Sequence, residues 1–332
     1  MKLKKYDTKK MYEIYDKWPE FSKKAYESQH EDSSLDPSNH VVFAGIGGSG
    51  AIGDIFSSIL SKTNTHVSVV KGYHLPKTVD SKTLVITTSV SGNSAETLSC
   101  LNLAKKNNNK IIAFSSGGKM RKICEKNKIQ HVEIPQLHSP RASFTVYLYT
   151  MLKVLKKTIP INNNDIYESI QKLQLIRKKI CSSNLTESNT ALNLAEWIIG
   201  IPLIYYPYGL QACATRFKNS LQENAKMHAL AEDILEASHN GIVSWERKSK
   251  VQPIILRGKD DYIKTKERWQ IFKEYFKKND IEYQEIMSVN GSILSKLITL
   301  IYLLDYCSIY KAALSNIDPT PILSIDYIKK RL

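Results

Sequence analysis

Three observations predict that this chain of 332 residues folds as two α/β domains, each a doubly wound parallel sheet with helices on both faces, a three-layer αβα sandwich. Between residues 40 and 157, short β-branched runs alternate with helical patterns. Two of those runs enter anion-type turns. Val41-Val42-Phe43-Ala44 leads into Gly45-Ile46-Gly47-Gly48-Ser49-Gly50, and Leu84-Val85-Ile86-Thr87-Thr88 leads into Ser89-Val90-Ser91-Gly92-Asn93-Ser94. After a break at Pro160-Ile161-Asn162-Asn163-Asn164, the strand–helix alternation returns in the second half.

Taken in order, residues 1 to about 30 read as a lysine-rich amphipathic helix within an N-terminal segment, 1–35. The first domain, 36–157, has candidate strands at 41–46, 66–70, 84–88, 110–115 and 130–134, and candidate helices at 50–61, 94–106, 119–127 and 143–157. A helical connector occupies 158–185, with its helix from about 165 to 181. The second domain, 186–332, has strands at 202–206, 251–257 and 281–287, and helices at about 210–227, 262–278 and 291–311. A last helix is expected to begin at Asp318-Pro319-Thr320-Pro321, where proline in a first turn costs little. The two halves share a plan suggestive of duplication, without a clean residue-level repeat.

Composition narrows the function classes. Apolar content of 42% and aromatic content of 9% are those of a folded chain, not a disordered one. The five cysteines are scattered, with no C-x-x-C pair, which favours free thiols in a reducing, cytoplasmic setting. The charged start, Met1-Lys2-Leu3-Lys4-Lys5-Tyr6, leads into no apolar leader core. The longest apolar run, Ile293 to Leu304, is interrupted by Lys296 and reads as a buried helix, so no membrane partner is expected. A formal charge of +15 comes from lysines dispersed in short clusters, the pattern of solvated helix faces. No zinc-finger spacing or RNP-type strand accompanies it, so no nucleic-acid partner is expected, although a basic surface draws in anionic small molecules.

The glycine turn alone is ambiguous. Gly45, Gly47 and Gly50 also satisfy the dinucleotide pattern G-x-G-x-x-G. Against a nucleotide, the second turn crowds hydroxyls at Ser89, Ser91, Ser94 and Thr97, and Gly72 and Tyr73 follow the second strand where an acidic residue would stand. A phosphate monoester fits better, held by Gly48, Ser49, Ser89, Ser91 and Ser94. His228 and Glu232 have zinc-compatible spacing but no third ligand, so no metal is expected.

Eight segments carry a resemblance. Gly45 to Asp54 (GIGGSGAIGD), Ser89 to Leu98 (SVSGNSAETL), Ser115 to Gly118 (SSGG) and Pro140-Arg141-Ala142-Ser143-Phe144 resemble the sugar isomerase, or SIS, domain. Gln222-Glu223-Asn224-Ala225-Lys226, Ala237-Ser238-His239-Asn240, Asp318-Pro319-Thr320-Pro321 and Ile328-Lys329 are similar to the bifunctional phosphoglucose/phosphomannose isomerases. The match runs in order over nearly everything after residue 35. One departure is Ser94, where the family usually has threonine; the hydroxyl is kept.

The resemblance implies two SIS-type domains in a homodimer, no cofactor, and reversible isomerisation of glucose 6-phosphate or mannose 6-phosphate to fructose 6-phosphate. It implies Glu223 as the base that moves a proton between C1 and C2, a task a partly buried carboxylate suits. His239, from the partner subunit, would open the sugar ring near neutral pH. Arg141 would stabilise the enediolate as a permanent cation, Lys329 (beside Lys330) would assist at the ring oxygen, and Thr320 would lie near C2–C3. Two rivals remain: a sugar-phosphate-sensing SIS regulator, and an SIS enzyme that aminates or epimerises. The first needs the serine turns but not Glu223, His239 and Arg141 together.

Overall fold

The apolar runs of the sequence pair as parallel strands in the computed structural model, which describes residues 3–331. From the N-terminus the chain forms helices α1 (Leu3–Tyr6), α2 (Met11–Asp16) and α3 (Trp18–Tyr26), strand β1 (His40–Ala44), helix α4 (Gly48–Leu60), and strands β2 (His66–Val70) and β3 (Leu84–Thr88). Helix α5 (Ala95–Lys106), strand β4 (Lys110–Ser115), helix α6 (Gly118–Lys126) and strand β5 (Gln130–Glu133) follow, then helices α7 (Phe144–Leu155), α8 (Asn163–Ile180) and α9 (Thr190–Trp197). The remainder comprises β6 (Ile201–Tyr206), α10 (Gln211–Asn224), β7 (Leu230–Asp233), α11 (Ile234–Ala237), β8 (Val251–Arg257), α12 (Ile263–Lys278), β9 (Gln284–Met287), α13 (Ile293–Leu314) and α14 (Leu323–Lys329).

The chain divides into two units. One holds Lys17–Ile170 and the described residues from Leu323 on; the other holds the described residues up to Asp16 and Gln171–Ile322. The first carries a parallel sheet ordered β2-β1-β3-β4-β5. Its winding direction switches between β1 and β3, where α/β sheets open a crevice at their carboxyl ends. Alternation along the strands builds the layers. Val42, Val85 and Ala113 pack with Leu101 and Ala104 of α5 and Met120 and Cys124 of α6. Phe43 faces the other way and stacks on Phe56 of α4 at 4.7 Å.

The second unit carries the parallel sheet β7-β6-β8-β9. Tyr205 and Ile255 pack against Trp269, Phe272 and Phe276 of α12 on one side. Helices α10 and α13 pack together. By length and apolarity α13 resembles a membrane span, but 89% of its most apolar stretch is buried inside the fold, as expected of a core helix. All five cysteines are buried free thiols.

Several expectations require correction. The single N-terminal helix is three short ones. Lys10 takes a left-handed φ of 57°, and the Asp7 carboxylate accepts the Met11 and Tyr12 N–H groups at 3.0 and 2.8 Å, starting a new helix there. The last helix begins at Leu323 rather than at Asp318. Residues before prolines avoid helical geometry, and Asp318 instead closes a turn by accepting the Thr320 N–H at 2.8 Å. The expected strand 281–287 is shortened to 284–287, because the Ile281 N–H closes the end of α12 on Phe276 O. Strand β7 and helices α9 and α11 had no counterpart in the sequence reading.

Asp32, between α3 and β1, pins that connection to the end of α7 through Lys153, Lys156 and Lys157 at 3.3, 3.2 and 3.0 Å. Burial opposes its ionisation, but hydrogen bonds from Lys157, Lys156 and Lys153 outweigh this and hold the carboxyl down at about 2. An unfolded aspartate titrates at about 3.9. The contribution is therefore fully present above that value and is lost as pH falls through about 2. The Tm gap between the protein and Asp32→Asn is expected to be constant above roughly pH 5 and to close on further acidification. A gap indifferent to pH would contradict this.

Candidate active site

In the first unit the predicted phosphate residues gather at the carboxyl ends of β1 and β3. Gly47 turns the chain at φ 61°, and α4 then starts at Gly48 without a side-chain cap. Helix α5 also starts uncapped, after Ser94, whereas the start of α6 after Gly117 is closed by the preceding turn, with the Lys119 N–H donating to Asn93 Oδ1 at 3.0 Å and the Met120 N–H to Gly92 O at 2.9 Å. Two helix N-termini, those of α4 and α5, thus keep their first N–H groups available beside one sheet edge, each carrying the positive end of its dipole. The main chain is tightly drawn there: a Cβ on Gly45 would stand 2.9 Å from Thr88 O, and one on Gly92 (φ 67°) only 1.9 Å from Gly117 O. Glycine is required at 92 on both counts.

Two of the hydroxyls are linked directly. Ser89 is buried, and its Oγ lies 3.0 Å from Ser94 Oγ. Ser91 is exposed and accepts the Asn93 N–H at 3.3 Å. Ser49 is buried in the first turn of α4. Arg141 joins this group, since a Cβ on Gly48 would sit 3.9 Å from Arg141 Cα. Arg141 is only 5% exposed, on a turn that Trp18 Nε1 anchors by donating to Ala142 O at 2.9 Å. Lys329 and Lys330 are both exposed where α14 ends.

In the second unit Glu223 is half-buried on the last turn of α10. One face of that helix is fixed to α13 by polar side chains spaced four apart. Arg216 pairs with Asp305 at 2.6 Å, Ser220 Oγ donates to Asp305 Oδ1 at 2.7 Å, and Asn224 Nδ2 donates to Ser308 Oγ at 2.8 Å. Burial works against the Arg216 charge, but Asp305 and then Tyr15 outweigh it and raise its pKa. Lys226 links Glu223 to the Thr320 loop, its Nζ donating to Glu223 O at 2.5 Å and to Pro319 O at 3.3 Å. His239 is exposed just beyond α11, its N–H donating to Glu236 O at 2.9 Å.

Residues 34–148 match the SIS domain, and residues 187–332 match the bacterial phospho-glucose isomerase C-terminal SIS domain. A bifunctional phosphoglucose/phosphomannose isomerase from Caldicellulosiruptor bescii is 34% identical, covering 97% of this chain and 98% of that protein. The chain belongs to the bifunctional phosphoglucose/phosphomannose isomerase family. Another member, from Aquifex aeolicus, is 29% identical over 90% of this chain and 92% of its own. The crystal structure of a hypothetical protein from Thermus thermophilus shares the fold, with a TM-score of 0.72 at 14% identity, covering 98% of this chain and 88% of that one.

For this phosphoglucose/phosphomannose isomerase family member, sequence reasoning found the turns and missed their supports. Lys71 lies against the glycine turn, where a Cβ on Gly50 would meet its stem at 3.2 Å, and it pairs with Asp54 at 2.6 Å. Tyr147 OH donates to Ile134 O at 2.9 Å from the start of α7. The Arg216–Asp305 pair and Lys226 were also missed. Left-handed φ at Lys226 was not legible, because lysine carries no signal for it.

Proposed function

We propose that this sugar-phosphate isomerase interconverts glucose 6-phosphate and mannose 6-phosphate with fructose 6-phosphate. The observation that carries the reading is the pair of uncapped helix N-termini, those of α4 and α5, around the Ser89–Ser94 hydroxyl pair, in a chain of this family. That arrangement suits a phosphate dianion, with hydrogen bonds to charge contributing roughly 1.5–3 kcal/mol each. Gly48, Ser49, Ser89, Ser91 and Ser94 hold the phosphate in this reading.

Glu223 then takes the proton from C2 of the open-chain aldose, leaving a cis-enediolate, and returns a proton to C1. Arg141 stabilises the oxyanion, a charge that exists only along the reaction path. His239 opens the ring, and its exposure suits donation into a second copy of the chain in a homodimer. Lys329 assists at the ring oxygen, and Thr320 positions the C2–C3 hydroxyls.

A coupled assay reading fructose 6-phosphate, started separately from each aldose phosphate, tests the proposal. Turnover of both is expected, unchanged by a chelator because proton transfer by a carboxylate needs no metal. Inactivity on both aldoses, with sugar phosphate still bound, would favour the regulatory reading.

A further inference from the structure

The end of α10 is held from two sides. Asn224 is fully buried and fixes it to Ser308 of α13. On the other side the chain turns through Lys226, whose φ of 55° lies in the left-handed region that glycine or asparagine usually fills at a helix end. Lys10 and Lys128 take the same backbone at 57° and 54°, so what sets Lys226 apart is where its side chain goes. Its ammonium spans two main-chain carbonyls, that of Glu223 at 2.5 Å and that of Pro319 at 3.3 Å. The first belongs to the negative end of the helix dipole, which a cation complements. The second lies 93 residues further along the chain, between Asp318 and Thr320. Asp318 is itself engaged, taking the Thr320 N–H at 2.8 Å and the Thr8 hydroxyl at 2.7 Å.

We propose that Lys226 is a positioning residue that fastens the helix end carrying Glu223 to the loop carrying Thr320. The inference rests on Glu223 being the base, as proposed above. A helix cap acting on its own would need only the first carbonyl; the second makes the ammonium a strut between two candidate site segments. A base displaced by about 1 Å loses on the order of 100-fold in rate without any change in its chemistry.

The test compares Lys226→Met, Lys226→Gly and Lys226→Arg, measuring kcat and KM for glucose 6-phosphate and the Tm of each. Met removes the donor. Gly removes it while relaxing the left-handed backbone, so the fold is preserved even if Met disturbs it. Both are expected to lower kcat by about 10- to 100-fold with KM within about twofold, and Arg is expected to recover most of the loss. Wild-type kcat in either the Met or the Gly variant would overturn the proposal, as would a KM that rises by the factor lost from kcat. Glu223→Gln is assayed in parallel. Full turnover there would remove the base and this proposal together, whereas an inactive Glu223→Gln beside a fully active Lys226→Met would remove only the strut.

Discussion

Glu223→Gln is expected to lower turnover of both aldose phosphates by at least about 100-fold, and by as much as about 10,000-fold, while leaving the fold and phosphate affinity intact. The amide keeps the size of the side chain but cannot accept the substrate proton. A loss of that size is about 3–5 kcal/mol of barrier. The predicted phosphate contacts lie on α4 and the β3–α5 turn, so inorganic phosphate protection and KM are expected to stay near wild type. Turnover within a few-fold of wild type would move the base to another residue. A regulatory sugar-phosphate binder, by contrast, has no use for a carboxylate at this position, so an unaltered binding curve with abolished turnover also separates the two functional readings.

Asp305→Ala is expected to be strongly destabilising, costing about 3–5 kcal/mol. Asp305 is fully buried and accepts Arg216 Nη2 at 2.6 Å and Nε at 3.1 Å, Ser220 Oγ at 2.7 Å and the Tyr15 hydroxyl at 3.2 Å. Removing the carboxylate takes from the Arg216 guanidinium, itself 3% exposed, the acceptor of its Nη2 and Nε hydrogen bonds and its strongest counter-charge. Urea unfolding of the variant beside Arg216→Met and the double variant Arg216→Met/Asp305→Leu gives the cycle. The double variant is expected to recover much of the loss, because a buried pair replaced by apolar groups no longer carries the desolvation cost of either ion. A single variant within about 1 kcal/mol of wild type would mean that water or an unfilled partner relieves the buried charge. This network also joins α2, α10 and α13 through Tyr15.

Strands β2, β3 and β4 follow the expected limits because each is a short apolar run bounded by turn chemistry; β3 and β4 are buried between parallel neighbours, and β2 is a half-buried edge strand paired with β1. Strand β7 was hidden for the opposite reason. Leu230-Ala231-Glu232-Asp233 is an edge strand, half of it acidic, with Leu230 50% exposed, and its strand character comes from pairing with β6 rather than from its own residues. The glycine and hydroxyl turns were legible because their chemistry is local: a left-handed glycine at 47 or 92 and a serine within five residues of its partner are both written consecutively. Lys226 and Asp305 were illegible because their partners lie 93 and 89 residues away.

Order along the chain therefore fixed what can be fixed by neighbours: alternating strands and helices, the glycine and hydroxyl turns at the switch between β1 and β3, and the candidate groups for proton transfer. Folding in three dimensions decided the rest. It placed Arg141 against Gly48, locked α10 to α13 through a buried ion pair, and brought Lys226 onto a distant loop. Short-range backbone preferences act over a few residues and are visible in the sequence, whereas desolvation and charge pairing depend on which distant groups share an interior.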